Sequence, residues 1–314
     1  MAMPASRPEI GIDVAKDDLV IHLQGLNQTF TIDNTPQAIR QWLATLPEGC
    51  DIAIEATSTY HMDITERAHA KGHRVYVVDG YRLSNYRKGV GTRAKTDRAD
   101  AQLLARYLHN EKDELRPWSP PPKAYRVLQS LLRRRAALVK ARTALRQSLS
   151  GEPELKAPLR ALIAKMDRID SLIQKRLKSA VSAAGLQTQV QRCDAIDGVG
   201  EITATALVMA FLRGDFKNSD AFVAFLGLDV RVRDSGKLTG KRKLTKQGDT
   251  EVRRLLHCAA MSASRHPVWR AFYQRYRDRG LHTTQALVIL ARKIARTAFA
   301  LMKQQQEYCP AKLF

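Results

Sequence analysis

The sequence has few cysteines, and they are widely spaced. Its 314 residues include Cys50, Cys193, Cys258 and Cys309, and no two of them form a CxxC pair. This spacing argues against a zinc ribbon, and a chain of this length does not need a disulfide framework to be stable. A reducing compartment fits the cysteine content best.

Long hydrophobic runs are also missing. The longest apolar stretch, residues 202–212, is too short to span a bilayer and contains two threonines. Residues 1–9 carry no apolar segment of the kind found in a secretory signal. We therefore expect a cytoplasmic protein without a membrane partner.

Acidic residues are scarce in the second part of the chain. Residues 1–100 contain 12 basic and 13 acidic side chains, whereas residues 101–314 contain 40 basic and 18 acidic ones. The overall charge of +21 makes an ordinary metabolic enzyme a poor default and favours a polyanionic partner. The uneven distribution predicts a nearly neutral catalytic unit joined to a body that binds nucleic acid.

The first eighty residues alternate between strand and helix patterns. Strands are expected at 9–14, 18–23, 28–32, 51–55 and 74–78, with helices at 35–43 and 62–70. This order is the one found in ribonuclease H-like folds. Residues 82–94 are basic and contain glycine, which predicts a mobile connection, and Thr96 is placed to cap a helix from Asp97 to about Leu108.

Four prolines between residues 117 and 122 mark the clearest linker. Two long helical patterns follow, at 124–149 and 155–181, and indicate a helical hairpin or coiled coil of the kind that mediates self-association. The second pattern, at 155–181, has apolar residues along one face of the predicted helix: Leu159, Leu162, Ile163, Met166, Ile169 and Leu172. The fold class is therefore α/β plus α, with domains at 1–118, 119–187 and 188–314, the last mainly helical.

Four carboxylates are candidates for a metal site. Asp13 and Glu55 lie on two strands that would be neighbours, and Asp97 and Asp100 share one face of a helical turn. Converging carboxylates cannot all remain ionised without cations, and Mg²⁺ takes oxygen ligands and acts on phosphodiesters. The alternative is structural, because acids also favour the first turn of a helix and Asp13 precedes a turn.

The third domain contains two further candidate regions. The turn formed by Gly198 and Gly200 resembles a helix-hairpin-helix, which holds a phosphate on its backbone N–H groups, although a plain helix-connecting turn has the same pattern. The segment 231–248 is rich in glycine, serine and threonine and favours contact with nucleic acid over a solvated loop. Its basic residues are Arg231, Arg233, Lys237, Lys241, Arg242, Lys243 and Lys246. Ser235, next to Gly236, is a hydroxyl that a base or metal could activate, although most surface serines have no such role.

Several ordered motifs together resemble one known family. These are residues 11–16, 54–57, 95–101, the turn at 198–200, Asp234–Ser235–Gly236 and residues 243–255. The chain resembles, over nearly its whole length, the DEDD transposases of bacterial insertion sequences, a family that includes the pilin-gene invertase and the bridge-RNA-guided recombinases. Two positions depart from the family pattern: Ser58, where glycine is more frequent, and Asp229–Val230, where many members carry proline.

The resemblance implies a RuvC-like N-terminal domain whose acids Asp13, Glu55, Asp97 and Asp100 bind Mg²⁺. It further implies a C-terminal transposase domain in which Ser235 becomes covalently linked to DNA, with the two sites forming a composite centre between protomers. A structured guide (bridge) RNA would pair with target and donor DNA. A homo-oligomer, dimer or tetramer, is expected because strand exchange joins two duplexes.

Two other functions remain compatible with the sequence. A junction-resolving nuclease would use the four acids alone, with water as nucleophile. A non-catalytic architectural protein would bind nucleic acid through its basic body, and its acids would be structural. Dependence on metal and the presence of a protein–DNA adduct distinguish the three.

Overall fold

The computed structural model describes residues 7–91, 96–231, 234–235, 238–240 and 242–310, with the backbone alone at 234–235 and 238–239. Within this part of the chain two compact units are separated, Met1–Pro120 and Pro121–Phe314. The three domains predicted from the sequence stay a prediction. None of the described helices is both long enough and apolar enough to cross a membrane.

The first unit is built on a five-stranded sheet. Its strands are β1 (Glu9–Val14), β2 (Asp18–Leu23), β3 (Gln28–Asp33), β4 (Asp51–Glu55) and β5 (Arg74–Val78), in the order β3-β2-β1-β4-β5. β1, β2 and β3 pair antiparallel, whereas β4 pairs in parallel with both β1 and β5. This mixed α/β arrangement is compatible with a ribonuclease H-like domain, and the predicted neighbourhood of β1 and β4 is confirmed.

Four helices complete the described part of this unit. They are α1 (Pro36–Thr45), α2 (Met62–Ala70), α3 (Gly80–Gly89) and α4 (Asp97–Glu111). The predicted cap of α4 is confirmed, since the Thr96 hydroxyl accepts a hydrogen bond from the Ala99 N–H at 3.2 Å. The prediction of a mobile connection at residues 82–94 was wrong for residues 82–89, which belong to α3, capped by Asp79 and anchored by the buried side chain of Leu83. Residues 92–94 of this prediction lie outside the described residues.

Gly11 allows α4 to lie directly on β1. A Cβ atom at this position would be 2.1 Å from the carbonyl oxygen of Ala101 and 2.4 Å from the backbone nitrogen of Ala105. Both atoms belong to the backbone of α4 and cannot move aside separately. Glycine is therefore required here by close packing, and this contact sets the height of the helix above the sheet.

The second unit is mainly helical. Its helices are α5 (Lys123–Ser148), α6 (Lys156–Ala183), α7 (Gln187–Asp194), α8 (Glu201–Phe211), α9 (Ser219–Phe225), α10 (Thr250–Ala263), α11 (Pro267–Asp278) and α12 (Thr283–Gln304). One hydrophobic cluster joins the bases of α5 and α6 to the later helices, through Leu128, Leu132 and Leu177 among others. α7 and α11 were not predicted as helices.

The hairpin of α5 and α6 is antiparallel, because Arg135 pairs with Asp170 while Arg142 pairs with Asp167. The predicted apolar stripe of α6 is corrected in part. Ile163 and Met166 are buried as expected, but Leu162, Ile169 and Leu172 are 43%, 49% and 63% exposed. The inward face instead continues through Asp170, Leu177 and Val181.

Candidate active site

Asp13 and Glu55 lie at the carboxyl ends of neighbouring parallel strands. Ile12 of β1 is opposite Ile54 of β4, so the two acids are the next residues along each strand. Because side chains alternate along a strand, both acids face the side of the sheet opposite these isoleucines. Gly11 shares that side, which is the side that α4 covers.

Asp97 and Asp100 lie on the first turn of α4. Asp100 is only 7% exposed, whereas Asp97 is exposed to solvent. Acids at the start of a helix are favoured by its dipole, so their position alone does not demonstrate a functional role. Their charges, however, reach Asp13.

The electrostatics of Asp13 indicate that the other three acids lie near it. The pKa of Asp13 is raised from 3.8 to about 6, first by burial and then by the charges of Glu55, Asp100 and Asp97, in that order. Each of the three lies close enough to oppose ionisation of Asp13. The structure therefore brings together the four acids that the sequence singled out.

Arg87 is a further charged residue at this site, and sequence analysis missed it. Its Nη2 atom donates to Oδ1 of Asp100 at 2.6 Å, and both side chains are largely buried. Arg87 belongs to α3, where the sequence pattern predicts a connection. The signal that could have found the helix is Asp79, whose side chain caps it by accepting from the Arg82 N–H.

Gly80, the first residue of α3, leaves room for the Glu55 carboxylate. A Cβ atom at this position would lie 2.6 Å from Oε1 of Glu55, closer than side chains tolerate. The start of α3 therefore restricts where Glu55 can point. No pattern in the sequence pointed to Gly80.

Ser58, the position at which the family more often has glycine, lies just beyond Glu55. Its φ is +47°, in the left-handed region that glycine adopts most easily. The loop after Glu55 thus has the backbone conformation expected of the glycine pattern, and the serine adopts it at some cost in strain.

The acid set matches Mg²⁺ in its chemistry. It offers oxygen ligands only, and the charges of the other three acids add to the effect of burial in raising the pKa of Asp13. The four carboxylates are, however, further apart than the ligands of a metal-bound site. Among the described residues, no three His, Cys, Asp or Glu side chains are grouped tightly enough to hold a metal ion. Assignment of the four acids as ligands stays a prediction.

Ser235 lies in the second unit, on a short antiparallel ribbon. It is the last residue of β7 (Asp234–Ser235) and pairs with Leu238 of β8 (Leu238–Thr239). Two further short strands flank this ribbon, β6 (Val230–Arg231) and β9 (Lys243–Leu244). The side chain of Ser235 lies outside what the structure describes, so its role as nucleophile stays a prediction.

Asp229 connects the two ends of the basic segment 231–248 through hydrogen bonds with Thr245. Its carboxylate accepts a hydrogen bond from the Thr245 hydroxyl, and its backbone carbonyl accepts from the Thr245 N–H at 3.0 Å. Val230, where the family often has proline, pairs with Leu244. The departure at Asp229–Val230 is therefore accommodated by hydrogen bonds and a regular strand pair.

The predicted nucleic-acid-binding residues of this segment divide into two sets. Arg231, Arg242, Lys243 and Lys246 are exposed, whereas Arg233, Lys237 and Lys241 lie outside the described residues. Arg231 and Lys243 are directly opposite each other across β6 and β9. Like charges opposite each other destabilise a strand pair, and a bound phosphate would relieve this repulsion.

Gly198 and Gly200 occupy a turn between α7 and α8 but differ in role. Gly198 has φ +83°, and a Cβ atom there would lie 2.3 Å from the backbone nitrogen of Ala263, so this glycine serves packing against α10. Gly200 precedes α8, where a Cβ atom would have no described atom within 4 Å. Glu201 pairs with Lys178 at 3.0 Å, so a carboxylate already lies at this helix end. Phosphate binding at the turn stays a prediction.

Two family models match successive parts of the chain. Residues 10–151 match the family model of the DEDD-type IS110 transposases, and residues 190–274 match that of the IS116/IS110/IS902 transposase family. The chain belongs to the IS110 family of transposases. The first match contains the four acids of the α/β unit, and the second contains the glycine turn and Ser235.

Curated relatives of this transposase match over almost their full length. The pilin gene-inverting protein of Moraxella bovis is 27% identical over 96% of this chain and 98% of its own. A probable family 20 transposase of Pseudomonas aeruginosa is 25% identical over the same shares. The transposase for insertion sequence element IS1111A of Coxiella burnetii is 25% identical over 95% of this chain and 90% of its own. DNA transposition and recombination are thus the activities of the family to which the chain belongs.

Proposed function

We propose that this transposase cleaves and exchanges DNA strands through a covalent phosphoserine at Ser235, with Mg²⁺ held by Asp13, Glu55, Asp97 and Asp100, under the guidance of a structured bridge RNA. The observation that carries the proposal is the convergence of the four acids at the ends of β1 and β4 and the start of α4. The relative that inverts a pilin gene supports site-specific recombination.

The acids would act as ligands because they are the oxygen donors on this face of the sheet. Asp13 and Glu55 are positioned by adjacent strands, and Gly11 sets the distance to the two acids of α4. Arg87 balances the charge of Asp100 and holds its carboxylate in place. Bound Mg²⁺ would stabilise negative charge on the phosphate oxygens.

The chemical step at Ser235 conserves the number of phosphate ester bonds. The serine oxygen attacks the phosphorus of the scissile phosphodiester, a P–O bond to one sugar oxygen breaks, and the serine proton ends on that departing oxygen as a hydroxyl. The product is a serine-linked DNA phosphodiester and a free sugar hydroxyl. The reverse attack by the hydroxyl of another strand completes strand exchange without an external energy source.

The basic segment around β6 and β9 would contact phosphates of the DNA or RNA. Arg231, Arg242, Lys243 and Lys246 are exposed there, and the remaining predicted contacts are Arg233, Lys237 and Lys241. Gly200 would add backbone donors. Contacts with phosphates position the protein on the nucleic acid but do not read its base sequence. Base pairing by the guide RNA would therefore select target and donor DNA.

We propose that the active form is a homo-oligomer, a dimer or tetramer. Exchange between two duplexes requires at least two cleavages that are coordinated in time. A symmetric homo-oligomer provides several equivalent active sites from identical chains.

The test is covalent capture of labelled target DNA in the presence of Mg²⁺ and the non-coding RNA. We expect a protein–DNA band on a denaturing gel for the wild-type protein and for two matched controls, Ser262→Ala and Asp17→Asn, which change exposed residues of the same types. The band should be lost in Ser235→Ala and reduced at least about 100-fold in Asp13→Asn.

Other outcomes assign the protein differently. Cleaved DNA without attached protein would indicate a nuclease that uses water. An adduct that persists in Ser235→Ala would eliminate this serine as nucleophile. Intact DNA in every sample, with binding that survives a chelator, would favour an architectural protein.

A further inference from the structure

An open groove of about 660 Å³ lies between α5 and α6, near the base of the helical hairpin. Three arginines line it, Arg126 and Arg134 from α5 and Arg176 from α6. Ser130 and Ser179 contribute hydroxyl groups, and no acidic residue is among the lining residues. The groove is therefore a concentration of hydrogen-bond donors with positive charge.

The surrounding helices leave this charge largely unbalanced. α5 contains eight basic residues and no acidic residue over its whole length. The aspartates of α6 are engaged with other cations, since Asp170 pairs with Arg135 and Asp167 with Arg142. Both pairs lie further along the hairpin than the groove.

Two arginines of the groove, Arg134 and Arg176, form no ion pair with a carboxylate of the described residues. The Arg134 guanidinium donates to the Ser130 hydroxyl. Both side chains are exposed and can reorient toward a ligand. The third arginine, Arg126, donates to the carbonyl oxygen of Pro121 at 3.3 Å. An anion is the ligand that this set of donors selects.

The dimensions favour a polymer over a single small anion. Arg126 and Arg134 are eight residues apart in one helix, which corresponds to about 12 Å. One strand of a duplex presents about three phosphates over that length of axis. Guanidinium groups and hydroxyls alternating along the groove suit successive phosphate oxygens, and the buried Leu131 contributes an apolar floor.

We propose that the groove between α5 and α6 binds the phosphodiester backbone of a nucleic-acid duplex. The inference deepens the proposed function, on which it rests for the presence of RNA and DNA. It assigns a binding role to the helical hairpin that is independent of the acids and of Ser235.

The experiment measures binding by the full chain in a chelator, so that no strand cleavage is involved. The probes are a fluorescein-labelled RNA hairpin and a DNA duplex with the same stem sequence, titrated by anisotropy at several salt concentrations. The groove variant is Arg134→Gln with Arg176→Gln. The matched control is Arg133→Gln with Arg168→Gln, which removes the same charge from exposed positions on the same two helices outside the groove.

We expect the groove variant to bind about 10- to 100-fold more weakly, with a slope of log affinity against log salt that is shallower by about 2. The control should lose less than about threefold. A weakening confined to the RNA probe, or to the DNA probe, identifies which backbone occupies the groove. Equal binding by the groove and control variants to both probes would overturn the inference.

Two further measurements keep the test decisive. Thermal unfolding must give the same midpoint for both variants, and Arg134→Lys with Arg176→Lys should restore most of the affinity because it restores the charge. If wild-type covalent capture fails while groove-dependent binding is retained, the proposed chemistry fails and the inference stands. If capture succeeds while binding does not depend on the groove, the inference fails and the proposed chemistry stands.

Discussion

Asp13 and Asp51 are acids on adjacent strands of one sheet, yet their surroundings shift their pKa values in opposite directions. Burial alone would raise the pKa of Asp51, but hydrogen bonds from Arg74 and Lys112 lower it below its usual value. Burial and the charges of three neighbouring acids together raise the pKa of Asp13 to about 6. A buried acid paired with cations stabilises the fold, whereas an acid among acids indicates a site for an external cation.

Asp13→Asn is therefore expected to stabilise the metal-free protein at neutral pH. The folded-state pKa of Asp13 is above the ordinary value of 3.8, so its ionised form costs stability in the folded protein. That cost is absent below pH 4, grows as the pH rises toward about 6 and is constant above it. Allowing for partial solvent screening, we expect the amide to add about 1–3 kcal/mol at pH 8.

The measurement is thermal unfolding in a chelator across the pH range, with Asp17→Asn as the control. The variant should unfold several degrees higher than wild type at pH 8 and at the same temperature near pH 4. Addition of Mg²⁺ should raise the midpoint of wild type and leave that of Asp13→Asn nearly unchanged. A variant that is less stable than wild type at pH 8 would contradict the electrostatic account.

At the scale of elements, α3 determines the surroundings of two candidate acids. Its first residue, Gly80, lies against the Glu55 carboxylate, and its Arg87 donates to Asp100. The helix has little apolar contact with the core, since Leu83 is its one buried apolar residue. It therefore contributes more to the placement of charged groups than to the hydrophobic core.

Gly80→Ala should lower activity with little loss of stability. The added Cβ would lie 2.6 Å from Oε1 of Glu55, so the carboxylate must shift by several tenths of an ångström. We expect covalent capture to slow about tenfold or more, because small misplacements of catalytic groups are costly. Gly89→Ala is the control at the other end of α3, where a Cβ would meet no described atom within 4 Å, and it should react at the wild-type rate. Equal rates for the two variants would remove Gly80 from the positioning of Glu55.

Elements with local signals were predictable from the sequence. The strands β1, β4 and β5 have continuous apolar runs, and α4 has a capping threonine with apolar residues at helical spacing. The proximity of Asp13 and Glu55 followed from strand order. These features depend on a few neighbouring residues and on the general rules of α/β topology.

Features that depend on tertiary contacts were not predictable in the same way. Arg87 meets Asp100 only because α3 forms and packs beside α4, and its sequence reads as a basic connection. Which face of α6 is exposed depends on where α5 packs against it. Ile169 and Leu172 were therefore predicted to belong to the apolar stripe, but they are exposed to solvent. The short strands around Ser235 carry no apolar period at all.

At the scale of the whole molecule, the candidate metal ligands and the positive charge belong to different units. The four acids lie in the unit Met1–Pro120, which is nearly neutral, and almost all of the net positive charge lies in Pro121–Phe314. The basic groove and the exposed cations around β6 and β9 are also in the second unit. We therefore expect binding of nucleic acid and metal-dependent chemistry on it to depend on different residues.

Removal of divalent metal is expected to separate these two activities. In a chelator at matched ionic strength, affinity for an RNA hairpin that folds without Mg²⁺ should stay within about threefold of its value with the metal, because exposed arginines and lysines supply the attraction. The protein–DNA adduct should disappear under the same conditions. Asp13→Asn should reproduce the loss of adduct in the presence of Mg²⁺ while retaining the affinity. A parallel loss of binding and adduct would show instead that the acids, or the metal they hold, form part of the nucleic-acid interface, and the assignment of binding to the second unit would then be wrong.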